Sequence, residues 1–290
     1  MNLWKHLSKH ISQHTGQSFE ILHRESLGGG CINTAYRVSD GHLHYFVKLN
    51  GIEHRLMFET EMLALQELVE LAPVRVPTPI CYGHYESQTY LVLEHLALSG
   101  QPDAALLGQQ LAAMHRIRSA QFGWHRDNVI GATPQQNTLT HNWIDFWREH
   151  RMRPQLLLAQ RNGYGSALTP LIESLLDKLD CIITHNPTPS LLHGDLWGGN
   201  AAALADGTPV IFDPALYYGD RETDIAMTQL FGGFNNKFYD AYNEAWPLDD
   251  GFNQRKTLYN LYHIMNHLNL FGSGYLAQAI SMTEKILAET

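Results

Sequence analysis

The sequence has few cysteines, and none has a spacing that would mark a disulfide framework or a metal site. Its 290 residues include three cysteines, Cys31, Cys81 and Cys181, with no C-x-x-C pair. An odd number of scattered cysteines is typical of a reducing compartment, so we expect a cytoplasmic protein. The 17 histidines form no H-E-x-x-H motif and no paired Cys/His spacing, so no zinc site is recognisable from sequence.

Long apolar runs and excess positive charge are lacking as well. No segment approaches the ~18 consecutive apolar residues of a membrane helix. The opening MNLWKHLSKHISQHTG is too polar for a signal peptide, and the spacing of Leu3, Leu7 and Ile11 predicts a short amphipathic helix. With 20 basic and 29 acidic residues the net charge is −9, which disfavours nucleic-acid binding. We therefore expect neither membrane nor nucleic acid as a partner.

The hydrophobic patterning predicts an α+β protein with two lobes. Before residue 95 short β-rich runs such as TAYRVS, HYFVKLN and TYLVLEHL are separated by Gly, Asp-Gly and Pro signals. One helical pattern, residues 56–71, interrupts them. After residue 100 helical patterns dominate, with brief strands at SLLH and VIF. We therefore divide the chain into residues 1–95, a small antiparallel sheet with one main helix, and residues 96–290, a larger and mostly helical lobe.

A glycine-rich turn lies between two of the early strands. In SLGGGCINTAYRV, Gly28, Gly29 and Gly30 permit a tight turn and would let backbone N–H groups approach phosphate oxygens. The segment lacks the Gly-Lys-Ser/Thr of a Walker motif, and no helix follows it as in a dinucleotide fingerprint. A simple hairpin turn stays an equal interpretation of this stretch taken alone.

Lys48 is the second unusual feature, because it lies in the apolar strand pattern YFVKLN. A buried ammonium needs an anionic partner. Glu61, in the one early helix, can provide it, with Glu53 and Glu59 as competing candidates. A glycine loop, a strand lysine and a helix glutamate in this order are used by kinases to hold phosphates.

The stretch LLHGDLWGGN carries the strongest chemical signal. Asp195 is followed five residues later by Asn200, and thirteen residues after that Asp213 ends a β-type run in VIFDPA. Phosphoryl transfer needs a carboxylate to orient the attacking hydroxyl and take its proton, which suits Asp195. It also needs oxygen ligands for Mg²⁺, which suits Asn200 and Asp213. Taken alone, H-G-D could be a turn after a strand.

The motifs HGDLWGGN, FDPALYYGDRETDIAM, FGWHRDNVIGATPQQNT and WIDFWREHRMRPQL resemble those of the fructosamine kinase, or ketosamine-3-kinase, family. This family has a bilobal protein-kinase-like fold related to aminoglycoside and choline kinases, and the resemblance covers nearly the whole chain. Asn33 stands where protein kinases have the third loop glycine, and no A-P-E segment follows Asp213. Both departures argue against a protein kinase.

The resemblance implies an ATP- and Mg²⁺-dependent kinase that phosphorylates the third-carbon hydroxyl of ketosamines. The product is unstable and releases the amine, which repairs glycation. ATP would bind between the lobes, with backbone groups of Glu94 and Leu96 contacting adenine. Trp197 would stack on the sugar, with a structural anchor as its alternative role. His267 and Asn266 are further candidates to line the sugar site, although a packed or surface position is the more common role for such a histidine.

Three supporting roles also follow from the resemblance and from residue placement. Asp224, in GDRETDIAM, resembles the kinase-fold aspartate that binds the catalytic-loop backbone, and His115 resembles a buried support for that loop. Cys31 is a candidate redox switch because of its place in the glycine loop. A small apolar residue that covers the nucleotide is the alternative for Cys31.

Two other functions stay open on the sequence. An aminoglycoside, choline or other small-molecule kinase would use the same phosphoryl chemistry, although Trp197 and GATPQQNT argue against it. A nucleotide-binding pseudokinase would lack one of the catalytic groups, and all of them are present. The sequence leaves undecided which ketosamine is preferred, whether its amine is free or attached to a protein, and whether the chain is a monomer or a dimer.

Overall fold

The computed structural model describes residues 2–28 and 32–290. The chain divides into two compact units, Met1–Asp103 with Ala202–Pro214, and Ala104–Ala201 with Ala215–Thr290. The division therefore falls after residue 103 rather than after residue 95, and a later segment returns to the first unit. That return could not be anticipated, because it depends on contacts distant in sequence, such as the parallel bridge between Arg75 and Val210.

The first unit is built on a five-stranded antiparallel sheet in the order β1-β2-β3-β5-β4. Its strands are β1 (His23–Leu27), β2 (Thr34–Ser39), β3 (His44–Gly51), β4 (Pro79–Tyr85) and β5 (Gln88–Glu94). The register between β3 and β5 sets Lys48 opposite Leu91, so Lys48 lies on the central strand. Short strands β9 (Ala201–Ala203) and β10 (Pro209–Ile211) pair further along the chain.

Two helices accompany this sheet, α1 (Leu3–Thr15) and α2 (Arg55–Leu71). The amphipathic helix expected at the start of the chain is present: the Asn2 side chain caps it, and Gly16 ends it at φ 70°. Its Leu7 and Ile11 are fully buried in a core shared with residues of the sheet. Helix α2 matches the predicted segment 56–71 within one residue and contacts β4 and β5.

The second unit is mostly helical. Its helices are α3 (Ala104–His115), α4 (Trp143–Phe146), α5 (Arg153–Arg161), α6 (Gly165–Leu176), α7 (Leu179–Ile182), α8 (Glu222–Leu230), α9 (Asn236–Ala245), α10 (Phe252–Phe271) and α11 (Leu276–Ala288). A π-helical turn, Trp147–Met152, joins α4 to α5. Its short strands are β6 (Asn128–Ile130), β7 (Thr133–Gln135), β8 (Ser190–Leu192) and β11 (Tyr217–Gly219).

The predicted fold class is confirmed, with one local refinement. The segment 118–140, whose Gly, Asn, Gln and Pro content predicts an ordered loop, contains the short antiparallel hairpin of β6 and β7. Buried polar side chains, rather than an alternating apolar pattern, hold this hairpin in place. The hydrophobic pattern of the sequence therefore indicates β6 and β7 only weakly. Among the described residues, no helix is both long enough and apolar enough to cross a membrane.

Gly108 allows α3 and α9 to approach closely, because a Cβ there would lie 2.3 Å from the Phe238 carbonyl oxygen. We predict that Gly108→Ala lowers the free energy of unfolding by about 1–3 kcal/mol, despite the better helix propensity of alanine. Gly274→Ala is the control, because a Cβ at Gly274 would have open space around it. Urea unfolding of both variants measures the difference. Equal stability of the Gly108→Ala variant and the wild type would contradict the tight packing.

Candidate active site

Lys48 is the centre of a buried ion-pair group in the first unit. Its Nζ donates to Oε1 of Glu61 and to Oδ1 of Asp213, at 2.6 Å in both cases. Lys48 and Glu61 are almost fully buried, whereas about half of the Asp213 side chain is exposed. The three residues come from β3, α2 and the segment after β10. Three glutamates are candidate partners of Lys48 from the sequence, and the observed partner is Glu61. The Glu53 side chain is 71% exposed and lies near His54.

The electrostatics keep Lys48 charged. Burial alone would lower the pKa of the Lys48 ammonium, but Asp213 and Glu61 outweigh burial and raise it. Burial raises the pKa of Glu61, and the ammonium beside it opposes that rise. The result is a permanent cation held between one buried carboxylate and one half-exposed carboxylate.

Asp213 has a backbone conformation that few residues adopt. Its φ is 59°, in the left-handed region where a non-glycine residue is uncommon, although aspartate tolerates it better than most. The strand β10 ends just before it, so the chain turns sharply at this point. Such a strained residue at the end of a strand, with its carboxylate on a lysine, is typical of a functional position.

In the second unit, Asp224 holds the backbone that precedes Asp195. The two oxygens of Asp224 accept from the backbone N–H groups of His193 and Gly194, at 2.7 Å and 2.8 Å. His115 is fully buried and contacts the same carboxylate at 3.1 Å. Burial alone would raise the pKa of Asp224, but the hydrogen bond with His115 and the other contacts lower it. A buried, ionised carboxylate therefore fixes the start of the loop.

Gly194 is required at its position. Its φ is 82°, and a Cβ there would lie 2.1 Å from the carbonyl oxygen of Ala215. The strand β8 ends just before Gly194. It pairs with β11, which begins shortly after Ala215 in the sequence. The glycine thus lets the loop bend against a neighbouring segment, which explains why H-G-D rather than another tripeptide is present.

Asn200 is turned toward Asp195. Its Nδ2 donates to the backbone oxygen of Asp195 at 2.9 Å and to Oδ2 at 3.3 Å. Because the amide nitrogen is used in this way, the amide oxygen of Asn200 faces away from Asp195. The Asp195 side chain is 23% exposed, and Nδ1 of His263 lies 4.0 Å from its Oδ1. The two residues predicted from their spacing are therefore in direct contact.

His263 is a residue that the sequence analysis missed. It lies in α10, is 4% exposed, and its Nδ1 has no hydrogen-bond partner within the described part of the chain. Burial, with smaller effects of His267 and Arg151, lowers the pKa of His263 to about 3. A neutral imidazole thus faces the Asp195 carboxylate. A histidine in the apolar segment LYHIMNHLNLF gives no sequence signal that separates this role from ordinary packing.

Trp197 and His267 belong to one aromatic group in the second unit. Trp197 is 39% exposed, and its ring lies 6.1 Å from that of Phe231, which lies 4.9 Å from His267. His267 also contacts Phe271 and Tyr275, and burial lowers its pKa. This group offers an apolar face beside the loop that carries Asp195.

Asn266, by contrast, has a structural role. Its Oδ1 accepts from Gln155 at 3.1 Å, and its Nδ2 donates to the backbone oxygen of Ile130. The side chain is 3% exposed. These contacts join α10 to α5 and to the β6–β7 hairpin, so Asn266 contributes to packing rather than to the exposed aromatic group.

The remaining predicted nucleotide residues are only partly described. Gly28 is exposed, and Gly29, Gly30 and Cys31 lie outside the described residues. Both Glu94 side-chain oxygens are engaged, by Arg75 and by the backbone N–H of Thr78. The Glu94 backbone N–H donates to the Thr78 carbonyl at 2.8 Å. Leu96 is half-buried in an irregular segment.

The motifs GATPQQNT and RMRPQL meet in a buried polar network. Arg151 donates to Oδ1 of Asn137 at 2.8 Å and to the backbone oxygen of Gln136 at 2.5 Å. Gln135 donates to the carbonyl of Ala215 at 3.1 Å. The network therefore fixes the segment against which Gly194 packs. The two motifs therefore support the loop that carries Asp195. They are not part of the aromatic group of Trp197 and His267.

Comparisons with known proteins agree with this geometry. The fructosamine kinase family model matches residues 3–289. A probable ketoamine kinase of Synechocystis is 49% identical over 98% of this chain and 97% of its own length. The chloroplastic protein-ribulosamine 3-kinase of Arabidopsis thaliana is 40% identical over 94% of this chain and 85% of its own. The crystal structure of a provisionally named fructosamine-3-kinase from Haemophilus somnus superposes with TM-score 0.89 at 29% identity, covering 99% of this chain and 100% of that one.

More distant structures share the fold. An aminoglycoside phosphotransferase and a choline kinase from Streptococcus pneumoniae each give a TM-score of 0.63 at 14% identity; each match covers 98% of this chain, and 97% and 100% of theirs. The paired lysine, the Asp-anchored loop and this shared architecture define a phosphotransferase of the protein-kinase-like fold. Within that class the chain belongs to the fructosamine kinase family, whose model spans almost its whole length.

The lowered pKa of His263 predicts a specific pH dependence of stability. The imidazole is neutral in the folded chain down to about pH 3 but takes up a proton below about pH 6.5 when unfolded. Stability is therefore lost as the pH falls below 6.5, by about 2 kcal/mol at pH 5. We predict that His263→Gln loses less stability than the wild type between pH 7 and pH 5, measured by urea unfolding.

The exposed His42 provides the matched control for this measurement. The His42→Gln variant should follow the wild-type pH dependence. Parallel pH dependences for His263→Gln and the wild type would show that His263 is already able to bind a proton in the folded chain.

Proposed function

We propose that this protein is an ATP-dependent kinase that phosphorylates the third-carbon hydroxyl of ketosamines. One observation carries the proposal: Asp195, with Asn200 in contact, lies on a loop whose backbone is fixed by the buried Asp224. Relatives that share 40–49% identity with this chain are named ketoamine kinase and protein-ribulosamine 3-kinase. The geometry thus supports the phosphoryl chemistry, and the relatives support the substrate class.

Lys48 would hold the phosphates of ATP. Its ammonium is kept charged by Glu61 and Asp213, and Glu61 fixes its direction. A fixed cation contributes most to phosphoryl transfer when it needs no rearrangement as charge develops. An aminoglycoside phosphotransferase of the same fold was crystallised with AMP-PNP and hygromycin B, which is consistent with ATP as the donor. Gly28, Gly29 and Gly30 are proposed to bind the phosphates, and backbone groups of Glu94 and Leu96 to contact adenine.

Asn200 and Asp213 suit Mg²⁺ by the chemistry of their donor atoms. Mg²⁺ prefers oxygen ligands, keeps several waters and takes few from the protein. The Asn200 amide nitrogen is used by Asp195, which leaves the amide oxygen for a cation. Asp213 offers the carboxylate oxygen that Lys48 does not contact, on a half-exposed side chain. When bound, the ion would neutralise charge on the transferred phosphoryl group.

Asp195 is proposed as the residue that orients the acceptor hydroxyl and takes its proton. Its partly exposed carboxylate is held by Asn200 at one oxygen, while the neutral His263 lies near the other. Since His263 carries no positive charge, it does not lower the basicity of Asp195 as an imidazolium would.

The aromatic group of Trp197 and His267 is proposed to receive the sugar. An exposed indole gives an apolar face and one N–H donor, which is a common way to bind a sugar ring. Gly199 makes room for it, because a Cβ there would lie 2.3 Å from the indole. We propose a free or protein-attached ketosamine as the substrate, and activity in the cytoplasm, where ketosamines on proteins would be repaired.

Two alternatives are weighed against this proposal. An aminoglycoside or choline kinase would use the same groups, and the shared fold supports that chemistry as well. The named relatives and the aromatic group beside the loop favour a ketosamine instead. A pseudokinase is disfavoured because the sequence contains all of the expected catalytic residues, Lys48, Asp195 and Asp213.

Asp195→Asn should lower kcat by about 10²–10⁴-fold, since the variant keeps the shape of the side chain but cannot accept the proton. ATP binding, followed by calorimetry, should stay close to that of the wild type. Asp240→Asn, which changes an exposed carboxylate on α9, is the control and should keep full activity. Near-normal turnover of Asp195→Asn would refute its assigned role.

The substrate class is tested by ADP release across a panel of acceptors. We predict turnover with fructosyl- and ribulosyl-lysine, and kcat/KM values at least about 100-fold lower with kanamycin and choline, because these lack the ketosamine group. Trp197→Ala should raise KM for the ketosamines more than KM for ATP. Preference for kanamycin or choline would replace the proposed substrate class while retaining the kinase chemistry.

A further inference from the structure

Two histidines of α1 and a cysteine of β4 form a cluster that the kinase chemistry does not use. His10 and His14 are one helical turn apart, on a helix that contacts β4. One ring nitrogen of each histidine and the sulfur of Cys81 lie within 4.8 Å of one another. Two imidazoles and a thiol are soft ligands that transition metals prefer, which separates this cluster from the oxygen ligands proposed for Mg²⁺.

Hydrogen bonds fix the tautomer of His14, and one of the two arrangements open to the Tyr90 hydroxyl gives His10 a tautomer that can bind a metal. His14 Nδ1 lies 3.0 Å from the His10 carbonyl oxygen; because that oxygen only accepts, Nδ1 carries the proton and Nε2 the lone pair. His10 Nδ1 lies 2.7 Å from the hydroxyl of Tyr90, which also lies 3.0 Å from Nε2 of His6. In the arrangement where Tyr90 donates to His6, it accepts from His10, so Nε2 of His10 is left for a ligand.

Burial affects His10 and Cys81 in opposite ways. Burial, together with the neighbouring His14 and His6, lowers the pKa of His10, so its imidazole is neutral at physiological pH. Burial raises the pKa of the Cys81 thiol to about 12. A divalent ion would reverse that effect, because a bound metal stabilises the thiolate.

The local packing is arranged around these side chains. A Cβ at Gly83 would lie 2.8 Å from the Tyr90 hydroxyl oxygen and 3.4 Å from Cε1 of His10. Glycine at this position therefore leaves room for the tyrosine that orients His10. His14 is exposed, so the cluster is open to solvent on one side and an ion can enter.

We propose that His10, His14 and Cys81 bind one Zn²⁺ ion, with water in the fourth position, and that the ion fastens α1 to β4. Three protein ligands with an open fourth position are a common zinc arrangement. On binding, the Cys81 S–H bond breaks, the sulfur–zinc bond forms, and the proton passes to the buffer. Tyr90 is a positioning residue, because it orients His10 and does not contact the ion.

The site is tested with Co²⁺ and Zn²⁺ on the tag-free full chain, after treatment with EDTA and removal of the chelator. Co²⁺ reports thiolate ligation through a charge-transfer band in the near ultraviolet. We expect the band to saturate at one equivalent and to disappear when Zn²⁺ is added. Zn²⁺ should also raise the Tm of the wild type, since a ligand that binds the folded chain stabilises it.

Variants separate this cluster from other metal-binding groups. Cys81→Ser should abolish the band, whereas Cys181→Ser, at the exposed cysteine, should keep it. His14→Gln should weaken Co²⁺ binding by at least about tenfold, and Tyr90→Phe by about tenfold, while His42→Gln leaves binding unchanged. Because His14 is exposed, the His14→Gln variant should fold. It therefore tests the metal site even if Cys81→Ser fails to fold. Absence of the band in the wild type, its survival in His14→Gln, or its loss in Cys181→Ser would overturn the proposal.

Discussion

The buried ammonium of Lys48 is the constraint on which the first unit depends. A cation on the central strand of a sheet is tolerated only with counter-charge, and Glu61 and Asp213 both lie 2.6 Å away. These partners come from a helix close in sequence and from a segment that is far along the chain. The need to neutralise the Lys48 charge therefore also brings together the residues that we propose to bind a phosphate and its metal ion.

The second unit also contains a buried charged side chain that is satisfied by fixed partners. Asp224 is buried, yet it accepts from two loop amides and contacts His115, so its charge is distributed over fixed partners. The loop of Asp195 is thereby held by a buried side chain from α8. This preorganisation is what an electrostatic mechanism of phosphoryl transfer requires, because the groups do not need to move as charge develops.

Much of this arrangement could be predicted from the sequence. The strand pattern around Lys48, the helix at 56–71 and the offset between Asp195 and Asn200 are local signals, and each agrees with its place in the structure. The sequence puts forward Glu61 as the partner of Lys48, and Glu61 is the observed one, but sequence alone does not exclude Glu53 and Glu59, because that depends on how α2 and the turn before it pack against the sheet.

Other features depend on contacts between distant segments. His263 gave no signal, since a histidine in an apolar helix pattern looks the same whether it packs or faces a carboxylate. The β6–β7 hairpin is held by buried amide networks, which no hydrophobic period reveals. The cluster of His10, His14 and Cys81 also had no recognisable motif, because its third member comes from another element.

The central claim is that a phosphoryl group is transferred to the third-carbon hydroxyl of a ketosamine. The most direct measurement is phosphorus–proton NMR of the product formed from fructosyl-lysine and ATP. The account predicts that the phosphorus couples to the proton on the third carbon and that free lysine then appears without further enzyme. A phosphate on any other hydroxyl, or a fructosyl-lysine left unmodified, would contradict it.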